Sequence, residues 1–98
     1  MHLFFVFSNP RQLRHILGLA EAGKKKGHRV TFFFNEESVK LLQEPSPLRG
    51  IKVELLACVT ACQVAGINHD NLVPGARMSS LGEMVTLIED SDRTLFWG

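Results

Sequence analysis

The chain alternates continuous apolar runs with segments of helical spacing. The runs His2–Phe7 and Arg29–Phe34 are apolar at most positions, which predicts parallel strands covered on both faces. After the first run, Asn9 is a suitable N-cap and Pro10 a suitable first helical residue. The spacing then predicts a helix that ends at about Lys25. Its predicted inward side chains are Leu13, Ile16, Leu17 and Ala20.

A second helix start follows the second apolar run. Asn35 is again a suitable N-cap, and the acidic residues Glu36 and Glu37 suit the positive end of a helix dipole. Pro45 and Pro47 end this segment, because proline interrupts helical hydrogen bonding. The apolar side chains that it carries are Val39, Leu41 and Leu42.

The third apolar run ends at a cysteine. Residues 51–57 are mainly apolar and follow turn-forming residues, which predicts a third strand. Residues 59–64 contain no helix breaker and Gly66 is a typical helix stop, so a short helix follows. Cys58 is therefore predicted to stand where a strand ends and a helix begins.

The last third of the chain predicts a loop and then one more helix. Residues 69–77 form a polar segment with proline and glycine, and a short strand is expected near its end. Ser80 and Glu83 form a capping-box pattern that opens a helix over residues 81–90. The apolar side chains at helical spacing in it are Leu81, Val85 and Ile88.

Strands and helices thus alternate along the whole chain, and residues 94–97 complete the pattern as a final strand. This order predicts an α/β fold with three α/β/α layers and an open, mainly parallel sheet of four or five strands, as in flavodoxin-like proteins. A chain of 98 residues with 45% hydrophobic content predicts one domain over residues 1–98. Reaction sites of such sheets lie at the carboxyl ends of the strands, where Cys58 is predicted.

Cys58 is the strongest candidate for chemistry. At a helix start the first amide N–H groups lack intrahelical partners and the peptide dipoles favour negative charge, which stabilises a thiolate. By position alone Cys58 fits a small buried core residue better, since burial is the commoner fate of a lone cysteine. Ser8, Asn9 and Asn35 follow other strand ends and are placed to line the same crevice, although turn chemistry explains them equally well.

Two parts of the chain resemble a known family. The cysteine segment and the C-terminal segment of the DsrE/TusD sulfur-relay proteins are similar to CVTACQVAGI and GARMSSLGEMVTLIEDSDRTLFWG here, and the similarity covers most of the chain. In that family a cysteine at a strand end, followed by a helix and a glycine with an aliphatic neighbour, carries sulfane sulfur. The matching residues are Cys58, Gly66, Ile67, Ser80, Leu81, Gly82, Asp92 and Arg93.

The resemblance implies a sulfur carrier or sulfurtransferase that accepts sulfane sulfur as a persulfide on Cys58 and passes it to an acceptor thiol. It also implies a fifth strand, donor and acceptor proteins of a sulfur relay, and a homo-oligomer that is a trimer or a hexamer. The candidate contacts of that oligomer are Leu87, Leu95, Phe96 and Trp97.

Two alternatives stay open. The chain fits a noncatalytic oligomeric subunit that binds a partner, in which Cys58 is only structural. It also fits a dithiol redox protein that uses Cys58 and Cys62, although side chains four apart on a regular helix are seldom oriented for a disulfide. Cys62 stands where many members of the family have a residue without a thiol.

Composition narrows the range of partners. A net charge of +1 provides no basic field for phosphates, so we expect no nucleic-acid partner. The apolar start of the chain is too short for a membrane span and lacks the basic flank of a signal peptide, so we expect no membrane partner. Two free thiols without a signal pattern favour the reducing cytoplasm. Because only His69 is available as a third ligand beside Cys58 and Cys62, we expect no metal site. We also expect no cofactor.

Overall fold

Five strands form one sheet in the computed structural model, which describes residues 1–98. The strands are β1 (His2–Phe7), β2 (Arg29–Phe34), β3 (Glu54–Cys58), β4 (Ala76–Ser79) and β5 (Arg93–Trp97). Their order across the sheet is β4-β3-β2-β1-β5, and every neighbouring pair is parallel. The predicted open parallel sheet is confirmed, including its fifth strand.

Helical segments connect the strands. The α-helices are α1 (Leu13–Lys25), α2 (Val59–Ala65) and α3 (Leu81–Asp90), and the 3-10 helices cover Pro10–Gln12, Glu36–Leu42 and His69–Asn71. Both predicted asparagine caps are present: Asn9 Oδ1 accepts from the Arg11 amide at 2.9 Å, and Asn35 Oδ1 accepts from the Glu36 amide at 2.8 Å. The segment after Asn35 is helical as predicted, but it winds as a 3-10 helix.

The strand order explains which face of the sheet each helix covers. From β1 through β2 and β3 to β4 the chain always steps in the same direction, so right-handed crossovers place these connections on one face. The step from β4 to β5 returns across three strands, and this reversal places α3 on the opposite face. The predicted three layers are therefore present, and α3 is the helix of the second face.

The two faces bury different amounts of apolar surface. Successive side chains of a strand point to opposite faces, so Phe5 and Phe7 lie in one cluster and Phe4 and Val6 in the other. The first cluster contains 16 buried residues, and the second contains only 5. The layer under α3 is consequently the thinner half of the core.

Three apolar side chains do not lie where the helical spacing suggests. Leu17 is 42% exposed, because the buried line of α1 runs through Ile16, Ala20 and Gly23. In α3, Leu81 and Val85 are 50% and 49% exposed. The side chains of α3 that pack on the sheet are Met84, Leu87 and Ile88.

Candidate functional site

Cys58 is the last residue of β3 and the N-cap residue of α2, which confirms the predicted position. Its side chain belongs to the smaller cluster, with Phe33 and Leu56, and the residue is 2% exposed. The thiol forms no hydrogen bond with the amides of α2. The start of α2 therefore gives the thiol no direct hydrogen bond in this structure.

A groove with a volume of about 710 Å³ opens beside this cysteine at the carboxyl edge of the sheet. We call it the Cys58 groove. Residues of α2 and the start of α3 supply its apolar part, in which Val64 is 86% exposed. The 3-10 helix Glu36–Leu42 supplies its charged part. The groove gives the buried Cys58 a route to solvent. Its lining residues are Asn35, Glu36, Glu37, Lys40, Cys58, Thr60, Ala61, Val64, Ala65 and Leu81.

The side chains of Cys62 and Cys58 lie on opposite faces of the sheet. Cys62 is fully buried in the larger cluster and does not line the Cys58 groove. Burial, and to a lesser extent the neighbouring Cys58, raises the pKa of the Cys62 thiol. Both cysteines are free thiols. The fold therefore places the two thiols in different clusters, and only Cys58 lines the groove.

The other strand-end residues divide between two grooves. Asn35 lines the Cys58 groove as predicted, whereas Ser8 and Asn9 line a second groove of about 510 Å³, together with Pro10 and Arg11. This Ser8 groove lies where β1 and β5 end, at the point where the strand order reverses and where ligands of open α/β sheets commonly bind. Ser8 and Asn9 therefore do not line the Cys58 groove itself. Glu36 and Glu37 line both grooves.

Arg77 and Ser79 of β4 hold the side chain of Glu83 at the start of α3, and we call these three residues the carboxylate clamp. Ser79 is the register partner of Cys58, and its Oγ donates to Glu83. Arg77 donates to both carboxylate oxygens of Glu83, at 3.0 and 2.7 Å. The hydrogen bonds from Arg77 and Ser79 lower the pKa of Glu83 to about 2. The clamp fixes the start of α3 against the edge strand that neighbours the cysteine.

This clamp changes the role predicted for Glu83. Ser80 Oγ accepts from the Glu83 amide at 3.0 Å, as a capping box requires. The Glu83 side chain does not return to the Ser80 amide, because Arg77 and Ser79 hold it. Half of such a box, which the sequence analysis missed, is formed at Asn68 and Asn71, where Asn71 Oδ1 accepts from the Asn68 amide at 3.0 Å. The sequence signal for it is the pair of asparagines three residues apart.

We expect the free energy of unfolding of Glu83→Gln to fall less at acid pH than that of the wild type. The carboxyl pKa is about 2 in the folded protein and near 4.5 when unperturbed, so its contribution is present above the unfolded value and is lost as pH falls from about 5 toward 2. Because the Glu83 side chain is 35% exposed, solvent screening leaves roughly 1 kcal/mol of this contribution. Urea unfolding of the variant at several pH values measures it.

The matched control for that experiment is Glu89→Gln. Glu89 is exposed on the same helix and forms no ion pair. The stability of Glu89→Gln should therefore fall at acid pH as much as that of the wild type. An unchanged curve for Glu83→Gln would contradict the clamp.

We expect iodoacetamide at pH 7 to alkylate Cys58 at least about tenfold faster than Cys62, because the thiolate is the reacting form. Cys58 lines an open groove, whereas Cys62 is fully buried and its pKa is raised. Peptide mapping by mass spectrometry over a time course measures both rates. Both sites should react at similar rates in the denatured protein, and equal rates in the folded protein would contradict the prediction.

The remaining candidate ligands stay apart. His69 is exposed near Asp70, and no three metal-ligating side chains of the chain lie together. None of the helices combines the length and the apolar character that crossing a membrane requires.

The sheet and the groove define a small parallel α/β protein with a thiol at the carboxyl end of an inner strand. The chain belongs to the DsrE/DsrF-like family, whose model matches residues 1–97. This confirms the resemblance, and it places the chain in a family related to sulfur relay. No curated protein matches the chain significantly.

Two solved structures have the same fold. The YchN protein from E. coli is 14% identical, with a TM-score of 0.78 over 99% of this chain and 100% of that one. MTH1491 from Methanobacterium thermoautotrophicum, a protein of unknown function, is 17% identical, with a TM-score of 0.75 over 96% of each chain. At these identities the likeness concerns the fold alone.

Proposed function

We propose that the protein is a sulfur carrier that holds sulfane sulfur as a persulfide on Cys58 and passes it to an acceptor thiol. The observation that carries this proposal is the position of Cys58, at the carboxyl end of an inner parallel strand and in the lining of an open groove. Membership of a sulfur-relay-related family supports the same chemistry.

The proposed transfer is a pair of thiol exchanges at sulfur. The Cys58 thiolate attacks the outer sulfur of a donor persulfide, a new S–S bond forms, and the donor leaves as a thiolate. The acceptor thiolate then attacks the outer sulfur of Cys58–S–SH, and the electron pair of the broken S–S bond returns to Cys58 Sγ. Neither step has a net oxidation, so no cofactor is needed.

The burial of Cys58 suits storage of sulfur. At 2% exposure the free thiol presents little surface to solvent, whereas the terminal sulfur of a persulfide extends about 2.05 Å further along the S–S bond. Because Cys58 lines the groove, we expect a partner thiol to approach the loaded sulfur from there.

Intact-mass analysis tests the proposal. After exposure to a persulfide donor and removal of the excess, the wild-type protein should gain the mass of one sulfur atom and lose it again on treatment with dithiothreitol. A protein that stays folded and gains no mass would overturn the carrier function and favour the noncatalytic subunit. Formation of an internal disulfide would favour the dithiol alternative.

We also propose that the chain is one domain and assembles as a homo-oligomer, either a trimer or a hexamer. The face under α3 buries only 5 residues, and β5 is an edge strand with exposed apolar side chains. Of the candidate contacts, Leu95 and Phe96 are 51% and 63% exposed, and Leu87 and Trp97 are half-buried. Exposed apolar groups on a sheet edge are typical of association surfaces.

We expect Phe96→Asp to shift the protein toward the monomer, because a charge at a buried contact is costly. Sedimentation velocity at micromolar concentration measures the shift. Val64→Asp places the same charge at an exposed position on α2 and serves as the control. A wild-type protein that sediments as a monomer would contradict the oligomer.

We place the carrier in the cytoplasm with donor and acceptor proteins of a sulfur relay, without nucleic acid or membrane.

A further inference from the structure

Glu36 is a carboxylate without a partner at the rim of the Cys58 groove. It is exposed and forms no ion pair or side-chain hydrogen bond. Five other glutamates of the chain each lie against a cation, and Glu89 on α3 is the other that does not. Of the glutamates that line the Cys58 groove, Glu36 is therefore the one that forms no ion pair.

The backbone that carries Glu36 is held firmly. Asn35 Oδ1 accepts from the Glu36 amide at 2.8 Å, and the Asn35 amide donates to the Phe7 carbonyl at 2.8 Å. Ser38 is fully buried, and its Oγ donates to the same Phe7 carbonyl at 2.7 Å. These bonds tie the rim to the ends of β1 and β2. The backbone from which the Glu36 side chain extends is consequently fixed beside the sheet.

The charges of the groove leave a net negative rim. Glu37 pairs with Lys40 at 2.5 Å, so these two charges cancel, and the other lining residues apart from Glu36 and Cys58 are neutral. A deprotonated persulfide on Cys58 would add a second negative charge. Arg11 is the cation of the Ser8 groove and does not line the Cys58 groove.

The two grooves form one path along the carboxyl edge of the sheet. Both are lined by Glu36 and Glu37, and together they extend from the ends of β1 and β5 to the end of β3. From β1 to β3 is two strand spacings, roughly 10 Å, which an extended peptide covers with about three residues. The path suits a peptide segment better than a small anionic sulfur compound.

We propose that Glu36 is a specificity-determining residue that selects acceptor segments with a lysine or arginine one or two residues from their cysteine. Glu36 follows β2 and Cys58 ends β3, and these neighbouring strands are about 4.8 Å apart, which sets that spacing. The inference rests on the proposed sulfur transfer. The acceptor thiolate attacks the outer sulfur of Cys58–S–SH, and the electron pair of the broken bond stays on Cys58 Sγ.

Sulfur-loaded protein and three short peptides test the inference. The cysteine of each peptide is flanked on both sides by lysine, by glutamine or by glutamate, and the rate of sulfur transfer is followed by mass spectrometry. The glutamine peptide supplies the reference rate for each protein variant. Comparing one peptide between variants cancels the intrinsic reactivity of its thiol.

For the wild type at low salt we expect the ratio of lysine-peptide rate to glutamine-peptide rate to be roughly three- to tenfold higher than for Glu36→Gln. The glutamate peptide should change in the opposite direction. The difference between the variants should shrink at 0.5 M salt, since exposed charges are screened. Glu89→Gln carries the same change in net charge at a position outside the groove and should keep the wild-type ratio.

Two results overturn the inference alone: equal ratios for the wild type and Glu36→Gln, or an equal drop for Glu89→Gln, which would indicate a net-charge effect. Failure of the folded wild type to take up sulfur before any peptide is added overturns the carrier function and this inference with it. The loading step and the peptide step thus distinguish the two failures.

Discussion

Cys58→Ser should take up no sulfur from a persulfide donor, whereas Cys62→Ser should gain one sulfur atom as the wild type does. The reason is the separation of the two thiols: Cys58 lines the open groove, and Cys62 is fully buried in the larger cluster. Its raised pKa further reduces the thiolate that Cys62 presents near neutral pH. Intact-mass analysis of both variants after the same donor treatment measures the difference.

The two substitutions are matched controls for each other. Both replace a buried sulfur with a hydroxyl, at residues that are 2% and 0% exposed, so the folding cost of the two variants should be similar. Thermal unfolding checks that both stay folded. Loss of loading in folded Cys62→Ser would contradict the single-thiol carrier and support a dithiol mechanism, and loading in Cys58→Ser would remove Cys58 from the chemistry.

Gly23→Ala should destabilise the protein by roughly 1–3 kcal/mol, although alanine is the better helix former. Gly23 lies on the buried side of α1, and a Cβ added there would overlap Val30 Cγ2 on β2. Val30 is 5% exposed and its branched side chain is stiff, so it yields only by leaving its rotamer or by shifting the helix. Urea unfolding measures the loss.

Gly18→Ala on the same helix is the control with the opposite expected sign. Gly18 is exposed and an added Cβ meets no atom within 4 Å, so we expect a gain of about 0.5–1 kcal/mol from helix propensity. In the Gly23→Ala, Val30→Ala double variant the overlap is gone. Its loss of stability should therefore be smaller than the sum of the losses of the two single variants. A stabilising Gly23→Ala would contradict the close approach of α1 to β2.

The folding of α1 shows how far a local pattern reaches. The spacing of its apolar residues predicted a helix and placed Ile16 and Ala20 inward, and both are buried. It placed Leu17 inward as well, and Leu17 is exposed because Gly23 brings the helix axis close to β2 along another line. A glycine carries no hydrophobic signal, so sequence periodicity does not register this contact.

The site divides in the same way. The sequence located Cys58 at the strand end, because a run of apolar residues, a stretch without breakers and a terminal glycine are all local signals. It did not reveal the Arg77–Glu83 clamp, since the same Ser80-x-x-Glu83 pattern fits a capping box. Which partner the Glu83 side chain takes depends on a neighbouring strand, β4.

The sequence by itself determined the type and order of the strands and helices, since periodicity, caps and breakers act between residues close in the chain. The strand order β4-β3-β2-β1-β5 was decided only in the tertiary structure, because pairing between distant strands is a non-local choice. That order places α3 alone on one face, separates Cys58 from Cys62 and joins two grooves at Glu36. These features depend on which strand ends become neighbours, and no local pattern of residues encodes that.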